Sequence, residues 1–272
     1  MRKLIALIRS ISPAINHCEL THLKRIPIDL KRAIAQHHNY QETLKSLGVE
    51  VLALPEEPHL PDSVFVEDAA VVLDECAIIT RPGADSRKPE IDSIARALTP
   101  YRLLHPIQAP GTLDGGDVLV VGKRIWVGLA TRTDQAAIDQ MQAFLEPFGY
   151  AVHVVIVSGC LHLKSAATQV SEEILLINPA WVDKANFPGM KFIEVDPSEP
   201  YAANALLVGE KVIYQPAYPK TRFRLEAAGI HPALVDQSEL SKAEGALTCC
   251  SIIFNQLVDF DGKWSSNLSA SV

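Results

Sequence analysis

One pattern recurs along the chain and constrains its fold more than any single residue does. Two short apolar or β-branched runs are separated by two residues, followed by a helical stretch and then a third apolar run. Ala69–Leu73 and Cys76–Thr80 flank Asp74-Glu75, Val118–Val121 and Arg124–Val127 flank Gly122-Lys123, and Ala205–Val208 and Lys211–Tyr214 flank Gly209-Glu210. A two-residue connection between such runs marks a tight hairpin, and glycine supplies the positive φ that the turn demands. Behind the hairpins, apolar residues recur at helical spacing: Ile91, Ile94, Ala95 and Leu98; Ile138, Met141, Phe144 and Leu145; Phe223, Leu225 and Ala228. Pro89 and Asp134 suit helix starts and Gly229 a helix stop. Leu103–Ile107, Ala151–Val157 and Ala233–Val235 end the three units as strands.

Two weaker copies complete the series. Ala166–Ile177 reads as a hairpin with Phe192–Val195 as its closing strand. The last copy is split between the termini: Cys250–Phe254 and Leu4–Ile8 form its hairpin, Leu30–Leu47 its helix (Leu30, Ile34, Leu44, Leu47), and Val51–Leu54 its final strand. A ring closed by strands from both ends protects its sheet edges. The sequence therefore predicts an α/β protein, a five-bladed α/β propeller of pseudo-symmetric ββαβ units, as one domain over residues 1–257. A conventional α/β sandwich of repeated hairpins is the competing arrangement. Residues 258–272, polar and serine-rich, are expected to form a C-terminal tail.

Composition narrows the function. With 272 residues, 48% of them hydrophobic, the chain can bury a full core, which excludes wholesale disorder. The net charge of −7 argues against a nucleic-acid partner and favours a cationic ligand. Arg9 interrupts the apolar run Leu4–Ile8, so no secretory signal is expected, and no apolar run approaches the ~20 residues of a membrane helix. Five cysteines, odd in number and without a C-x-x-C pair, read as reduced thiols in a cytoplasm. The dinucleotide, P-loop, zincin and nucleophile-elbow motifs are all missing.

The repeat map offers a positive argument. Reactive residue types gather just before the first strand of each unit: Asp62, Glu67 and Asp68; then Asp114 and Asp117 in LDGGD; then His162 in LHLKS; then Asn204; then Cys249 in LTCCS. In a closed ring these entries lie at one end and converge on a central mouth. Each has a plainer reading alone. A cysteine in an apolar run is more often packing, His162 between leucines suits a core, and Gly115-Gly116 suits a turn. Cys249 and Cys250, if in a strand, face opposite ways. Together, though, a thiol, an imidazole and an orienting acid make a covalent-catalysis set. Nearby carboxylates would raise the thiol pKa unless the substrate is itself cationic, and a guanidinium is the cation that paired carboxylates hold best.

The ordered runs LPDSVFVEDAA (60–70), IITRPGADSRK (78–88), GTLDGGDVL (111–119), LATRT (129–133), LHLKS (161–165), YAANAL (201–206) and LTCCS (247–251) resemble the dimethylarginine dimethylaminohydrolase family of guanidino-modifying enzymes. The resemblance implies the pentein fold, a five-bladed α/β propeller. It implies hydrolysis of Nω-methylated arginines to citrulline and an amine, with no cofactor and no metal requirement. Carried onto this sequence, it makes Cys249 the nucleophile and His162 the acid that protonates the departing amine and then activates water. Asp114 would orient His162, and Asp68 with Glu67 would hold the guanidinium. Asp62, Phe65 and the backbone of Leu20, the last within a lid around Ser12–Thr21, would line the substrate. Arg87 and Arg132 would bind its α-carboxylate and the Ala243 carbonyl its α-amino group. The implied partner is a small-molecule methylarginine, with neither nucleic acid nor membrane; a homodimer is allowed. The Cys249-Cys250 pair resembles members inhibited by zinc, so zinc would be an inhibitor only. The lid Ser12–Leu20 departs from the family pattern, which leaves open the preference among dimethyl-, monomethyl- and unmodified arginine. An arginine deiminase is the nearest rival, disfavoured by the short chain, and an arginine-derivative-binding propeller without catalysis is another.

Overall fold

The computed structural model describes residues 3–256, so the expected tail, 258–272, lies outside the described residues. In chain order the elements are β1 (Lys3–Arg9), α1 (Leu30–Ser46) and β2 (Glu50–Leu54); β3 (Ala70–Val72), β4 (Cys76–Ile79), α2 (Ile91–Leu98) and β5 (Leu103–Pro106); β6 (Val118–Val121), β7 (Arg124–Leu129), α3 (Gln135–Leu145) and β8 (Ala151–Ile156). The short helix α4 (Leu163–Ala166) leads into β9 (Ala167–Ser171), β10 (Ile174–Ile177) and β11 (Lys191–Glu194). Then follow β12 (Leu206–Val208), β13 (Lys211–Tyr214), α5 (Pro219–Ala227), β14 (Ala233–Leu234) and β15 (Ile252–Gln256).

The strands form five three-stranded sheets: β3-β4-β5, β6-β7-β8, β9-β10-β11, β12-β13-β14 and β15-β1-β2. In every sheet the first pair is antiparallel and the second parallel. The expected hairpins thus recur, and the fifth is assembled from the two chain ends, with Ile5 opposite Phe254 and Leu7 opposite Ile252.

The core explains why these strands read as nearly continuous apolar runs. The two hairpin strands of each sheet are largely buried on both faces, whereas the third, outer strand is mostly half-buried or exposed, and alternate residues of a hairpin strand enter different clusters. Ile78 packs with Val118 and Ile125 toward the next blade, whereas Ala77 and Ile79 pack with Ile5 and Leu7 toward the previous one. Leu119 and Trp126 meet Leu175 and Ile177; Val170 and Leu176 meet Ala205 and Val212; Leu206 and Ile213 meet Ala6 and Ile8. Five clusters, one between each pair of neighbours, close the ring, so the propeller replaces the sandwich as the arrangement.

Three local expectations need correction. Cys249 and Cys250 lie in a 3-10 turn, Thr248–Cys250, and the strand begins only at Ile252. Phe223 of α5 is 70% exposed and Ile34 of α1 is 50% exposed, so neither belongs to a buried stripe. The buried face of α5 is Thr221 and Leu225, and that of α1 is Ala33, Gln36, His37, Tyr40 and Leu44; both run along an i, i+3/i+4 row that includes polar residues the apolar pattern skips. Among the described residues no helix is long and apolar enough to cross a membrane.

Candidate active site

The first strands of the blades are entered through tight turns: Val66–Ala69 before β3, Gly115–Asp117 before β6, α4 before β9, Asn204 before β12 and Thr248–Cys250 before β15. The first of these turns packs on both the second and the last, and α4 packs on the second. The end-on convergence expected from the repeats is therefore present. A cavity with about 320 Å³ of empty volume opens there, lined by Asp62, Phe65, Asp68, Arg87, Arg132, His162, Ala243 and Cys249. Glu19, Leu161, Glu244 and Gly245 complete its wall; none of the four is singled out by the sequence as a site residue, although Glu19 lies in the expected lid and Leu161 in the LHLKS run. Leu20, by contrast, packs beside the cluster around Ile8 and Tyr40, and its neighbour Glu19 takes the place at the cavity wall.

His162 is held from both sides. Asp114, fully buried, lies 3.1 Å from Nε2 through Oδ2, while Nδ1 faces Asp68 Oδ1 at 3.9 Å. Asp114 is itself fixed by the Gly83 N–H on its Oδ1 (2.9 Å), and its own N–H donates to Thr133 Oγ1. Thr133 in turn donates to Asp117 Oδ2 (2.7 Å), whose other oxygen accepts the Leu163 N–H (2.9 Å). Asp117 is thus a strut beneath His162 rather than a member of the cavity wall. Burial works against the imidazolium, but Asp68, Asp117 and the Asp114 hydrogen bond outweigh it and raise the His162 pKa to about 9.

Asp68 and Glu67 separate in role. Asp68 accepts Arg87 Nη1 (2.6 Å) and the Gly116 N–H (2.9 Å). Burial opposes its charge, yet His162 and Arg87 win and hold its pKa at about 2. Glu67 turns away, taking Lys164 Nζ (2.5 Å) and Thr248 Oγ1 (2.8 Å), and burial lifts its pKa despite Lys164. The Glu67–Lys164 pair lines a different, larger cavity of about 830 Å³ among the inner strands, bounded by Val71, Val120 and Leu207. Size does not decide function here: that cavity contains none of Cys249, His162 or Asp114.

Arg87 is 4% exposed and heavily committed. Beyond Asp68 it grips Glu90 through Nε and Nη2 (3.2 and 2.9 Å) and reaches the Asp62 and Phe65 carbonyls. Burial raises Glu90 to about 7 even against Arg87. Arg132 is less committed: Nη2 donates to Thr21 Oγ1 (3.0 Å), and Nη1 lies 3.9 Å from Asp114 Oδ2. Asp62, its pKa raised by burial, accepts the Glu19 N–H (3.0 Å).

Cys249 is half-buried in the turn and Cys250 is fully buried. Tyr40 pins this turn from behind, its hydroxyl bonding the Leu247 carbonyl and Ser251 Oγ (3.1 and 2.6 Å), and Asn204 clamps Thr248 from the side. Burial first, then Glu67 and Asp68, push the Cys249 thiol well above its ordinary range. Cys250 Sγ points at Gln237 Oε1 and the Ala246 carbonyl, away from the cavity. Among the described residues, the group of three side chains spaced to hold a metal ion is Asp68, Asp114 and His162, and neither cysteine is in it.

The paired glycines do more than turn. A Cβ on Gly115 would sit 2.0 Å from the Glu67 carbonyl oxygen, and one on Gly116 would sit 2.5 Å from His162 Nδ1 and 2.8 Å from Asp68 Oδ1. Their absence of side chains is what lets Asp68 and His162 face each other. Gly245 likewise makes room for the Phe65 ring.

The family model described as N,N dimethylarginine dimethylhydrolase, eukaryotic, matches residues 8–186. The N(G),N(G)-dimethylarginine dimethylaminohydrolase of Streptomyces coelicolor is 40% identical over 256 residues, covering 93% of this chain and 98% of that protein. The Pseudomonas aeruginosa protein of the same name is 37% identical over 228 residues, 83% of this chain and 90% of that protein. A solved structure of the Pseudomonas aeruginosa enzyme, a cysteine-to-serine mutant complexed with citrulline, superposes with a TM-score of 0.89 at 34% identity, covering 93% of this chain and all of that one. The N-terminal domain of a cyanobacterial arginine dihydrolase, at 19% identity and a TM-score of 0.79, shares the fold alone.

Proposed function

The chain belongs to the dimethylarginine dimethylaminohydrolase family, and on that premise we propose that it hydrolyses Nω-methylated arginines to citrulline and dimethylamine or methylamine through Cys249. The observation that carries this reading is one cavity walled by Cys249, His162 and Asp68, with Asp114 behind the imidazole.

The geometry supports a sequence of steps. In the empty site Cys249 is a neutral thiol and His162 an imidazolium. A bound guanidinium, paired with Asp68, supplies the positive charge that offsets the surrounding carboxylates, so the thiol loses its proton to solvent. Sγ attacks the guanidinium carbon and forms the S–C bond. His162 then protonates the substituted nitrogen, the C–N bond breaks, and the amine departs, leaving a thiouronium on Cys249. Neutral His162 takes a proton from water as its oxygen attacks the same carbon. The C–S bond breaks, the thiolate is released, and the second proton of the added water passes to solvent, leaving neutral citrulline. With Nε2 against Asp114, Nδ1 is the nitrogen on the Asp68 side and carries the proton traffic.

At the other end of the substrate, Arg132, less committed than Arg87, would meet an α-carboxylate, with Arg87 at the same wall bracing Asp68. The Ala243 carbonyl and Asp62 face the α-amino group. The same reading takes the blades as one catalytic domain. It places the enzyme in the cytoplasm, on the strength of five unpaired thiols, and gives zinc no part in the reaction beyond inhibition.

The test is citrulline release with asymmetric dimethylarginine and arginine supplied side by side. Citrulline with dimethylamine from the methylated compound is expected. Citrulline with ammonia, from arginine alone, would move the chain to deiminase chemistry, and silence with both substrates would leave a binding protein.

A further inference from the structure

Glu244 joins three features that the reaction does not explain. Among the described residues it is the non-glycine residue with a positive φ, +58°. Its carboxylate accepts three successive backbone N–H groups, from Thr21 (Oε2, 3.0 Å), His22 (Oε1, 2.5 Å) and Leu23 (Oε1, 2.6 Å). Consecutive amides converging on one anion form a nest, and the hydrogen bonds are charge-assisted. Finally, Glu244 sits between Ala243 and Gly245 in the cavity wall, and it also borders a neighbouring cavity of about 330 Å³ with His22, Leu23 and Leu161.

Past Leu20, which packs beside the core, the segment is held by polar ties rather than by packing. Residues 21–27 are exposed, including Leu23 and Ile26, so burial of apolar surface does not fix them over the cavity. Two further ties run to the cavity wall, the Glu19 N–H to Asp62 and Arg132 to Thr21 Oγ1, while Ser86 donates to the Glu19 carboxylate, Arg25 to the Asn16 and Cys18 carbonyls and Lys242 to the Pro27 carbonyl. A left-handed glutamate next to a glycine is a costly way to end a turn, and the cost makes sense if the carboxylate must point at those amides.

We propose that Glu244 is the positioning residue that latches segment 19–23 over the reaction cavity, and that this latch sets how tightly substrate is held. The latch itself rests on geometry; its kinetic consequence rests on the activity proposed above.

Two variants of the whole chain separate a latch from a structural residue. Glu244→Gln keeps the shape and removes the charge, and Glu244→Gly removes the carboxylate while relieving the backbone. The latch predicts that amide hydrogen exchange at Thr21–Leu23 of the ligand-free protein accelerates by about tenfold or more in both variants. It also predicts that KM for asymmetric dimethylarginine rises by about tenfold in both, more than kcat falls, even where Glu244→Gly raises the melting temperature. Unchanged protection in both variants would overturn the latch. Faster exchange with KM unmoved would overturn its role in holding substrate. Exchange is read without turnover, so an inactive parent protein would count against the proposed reaction and leave the latch to be judged on protection.

Discussion

Burial together with the charges of Glu67 and Asp68 keeps the Cys249 thiol protonated in the empty cavity, while His162 stays charged at neutral pH. Resting and reacting protonation states therefore differ, and a cationic ligand has to supply the difference. An uncharged alkylating agent should accordingly modify Cys249 slowly at pH 7 and faster as pH rises past the ordinary thiol range. Glu67→Gln removes the largest of the opposing charges and leaves Lys164 unpaired, so alkylation at fixed pH should speed up by about tenfold, one pKa unit. Peptide mapping of the modified cysteine would check this, and a slower reaction in Glu67→Gln would contradict it. At this scale much was legible in the sequence, because the reactive residues stand at equivalent places in a repeat. The purpose of Gly116 was not. A glycine pair reads as a turn, and only the third blade bringing His162 to within 2.5 Å of a would-be Cβ shows the need for close approach.

The hairpins were readable because their strands are largely buried on both faces, which leaves β-branched runs with little polar interruption, and because Gly122 and Gly209 take the left-handed φ their turns require. Helix faces were harder. An apolar-only stripe overlooks His37, Gln36 and Thr221, which are buried with polar partners, and it wrongly recruits Phe223. The third blade departs furthest from the unit: between β10 and β11 it has only a 3-10 turn, Lys184–Asn186. Two glycine substitutions separate turn geometry from site geometry. Gly116→Ala pushes against both His162 and Asp68, and kcat/KM should fall by about a hundredfold or more, since small misplacements of reacting groups are costly. Gly122→Ala, with φ +60° and nothing within 4 Å of the new Cβ, should cost about 1 kcal/mol of stability and leave kcat/KM intact. Chemical denaturation and steady-state kinetics on both proteins check the pair, and equal activity losses would contradict it.

Across the whole molecule, the split fifth blade binds the chain ends together and carries α1, which reaches the turn holding Cys249 through Tyr40. One turn earlier on the same helix, His37 is buried, its Nε2 donating to the Arg9 carbonyl (2.9 Å) and its Nδ1 left without a partner. Burial lowers its pKa to about 4, against the ordinary 6.5. The neutral ring therefore contributes stability that is present above pH 6.5 and lost as pH falls through 4, on the order of 3 kcal/mol at about 1.4 per pKa unit. In His37→Leu that part of the acid slope should vanish, which urea titrations at pH 7 and pH 4 would reveal; an identical slope in both proteins would contradict it. The ring was legible because three blades repeat the same local signals closely and two weaker copies, one split between the termini, complete the count. The lid was not: its position depends on Glu244, which stands more than two hundred residues away and carries no local sign of the three amides it meets. The central claim, that this ring delivers Cys249 to a guanidinium carbon, is tested most directly by acid-quenching the reaction with asymmetric dimethylarginine and weighing the protein and its peptides. The account predicts a mass increase equal to the substrate less dimethylamine, on the peptide holding Cys249 and Cys250, retained in Cys250→Ser and absent from Cys249→Ser. Citrulline produced with no adduct at any quench time, or an adduct that persists in Cys249→Ser, would contradict it.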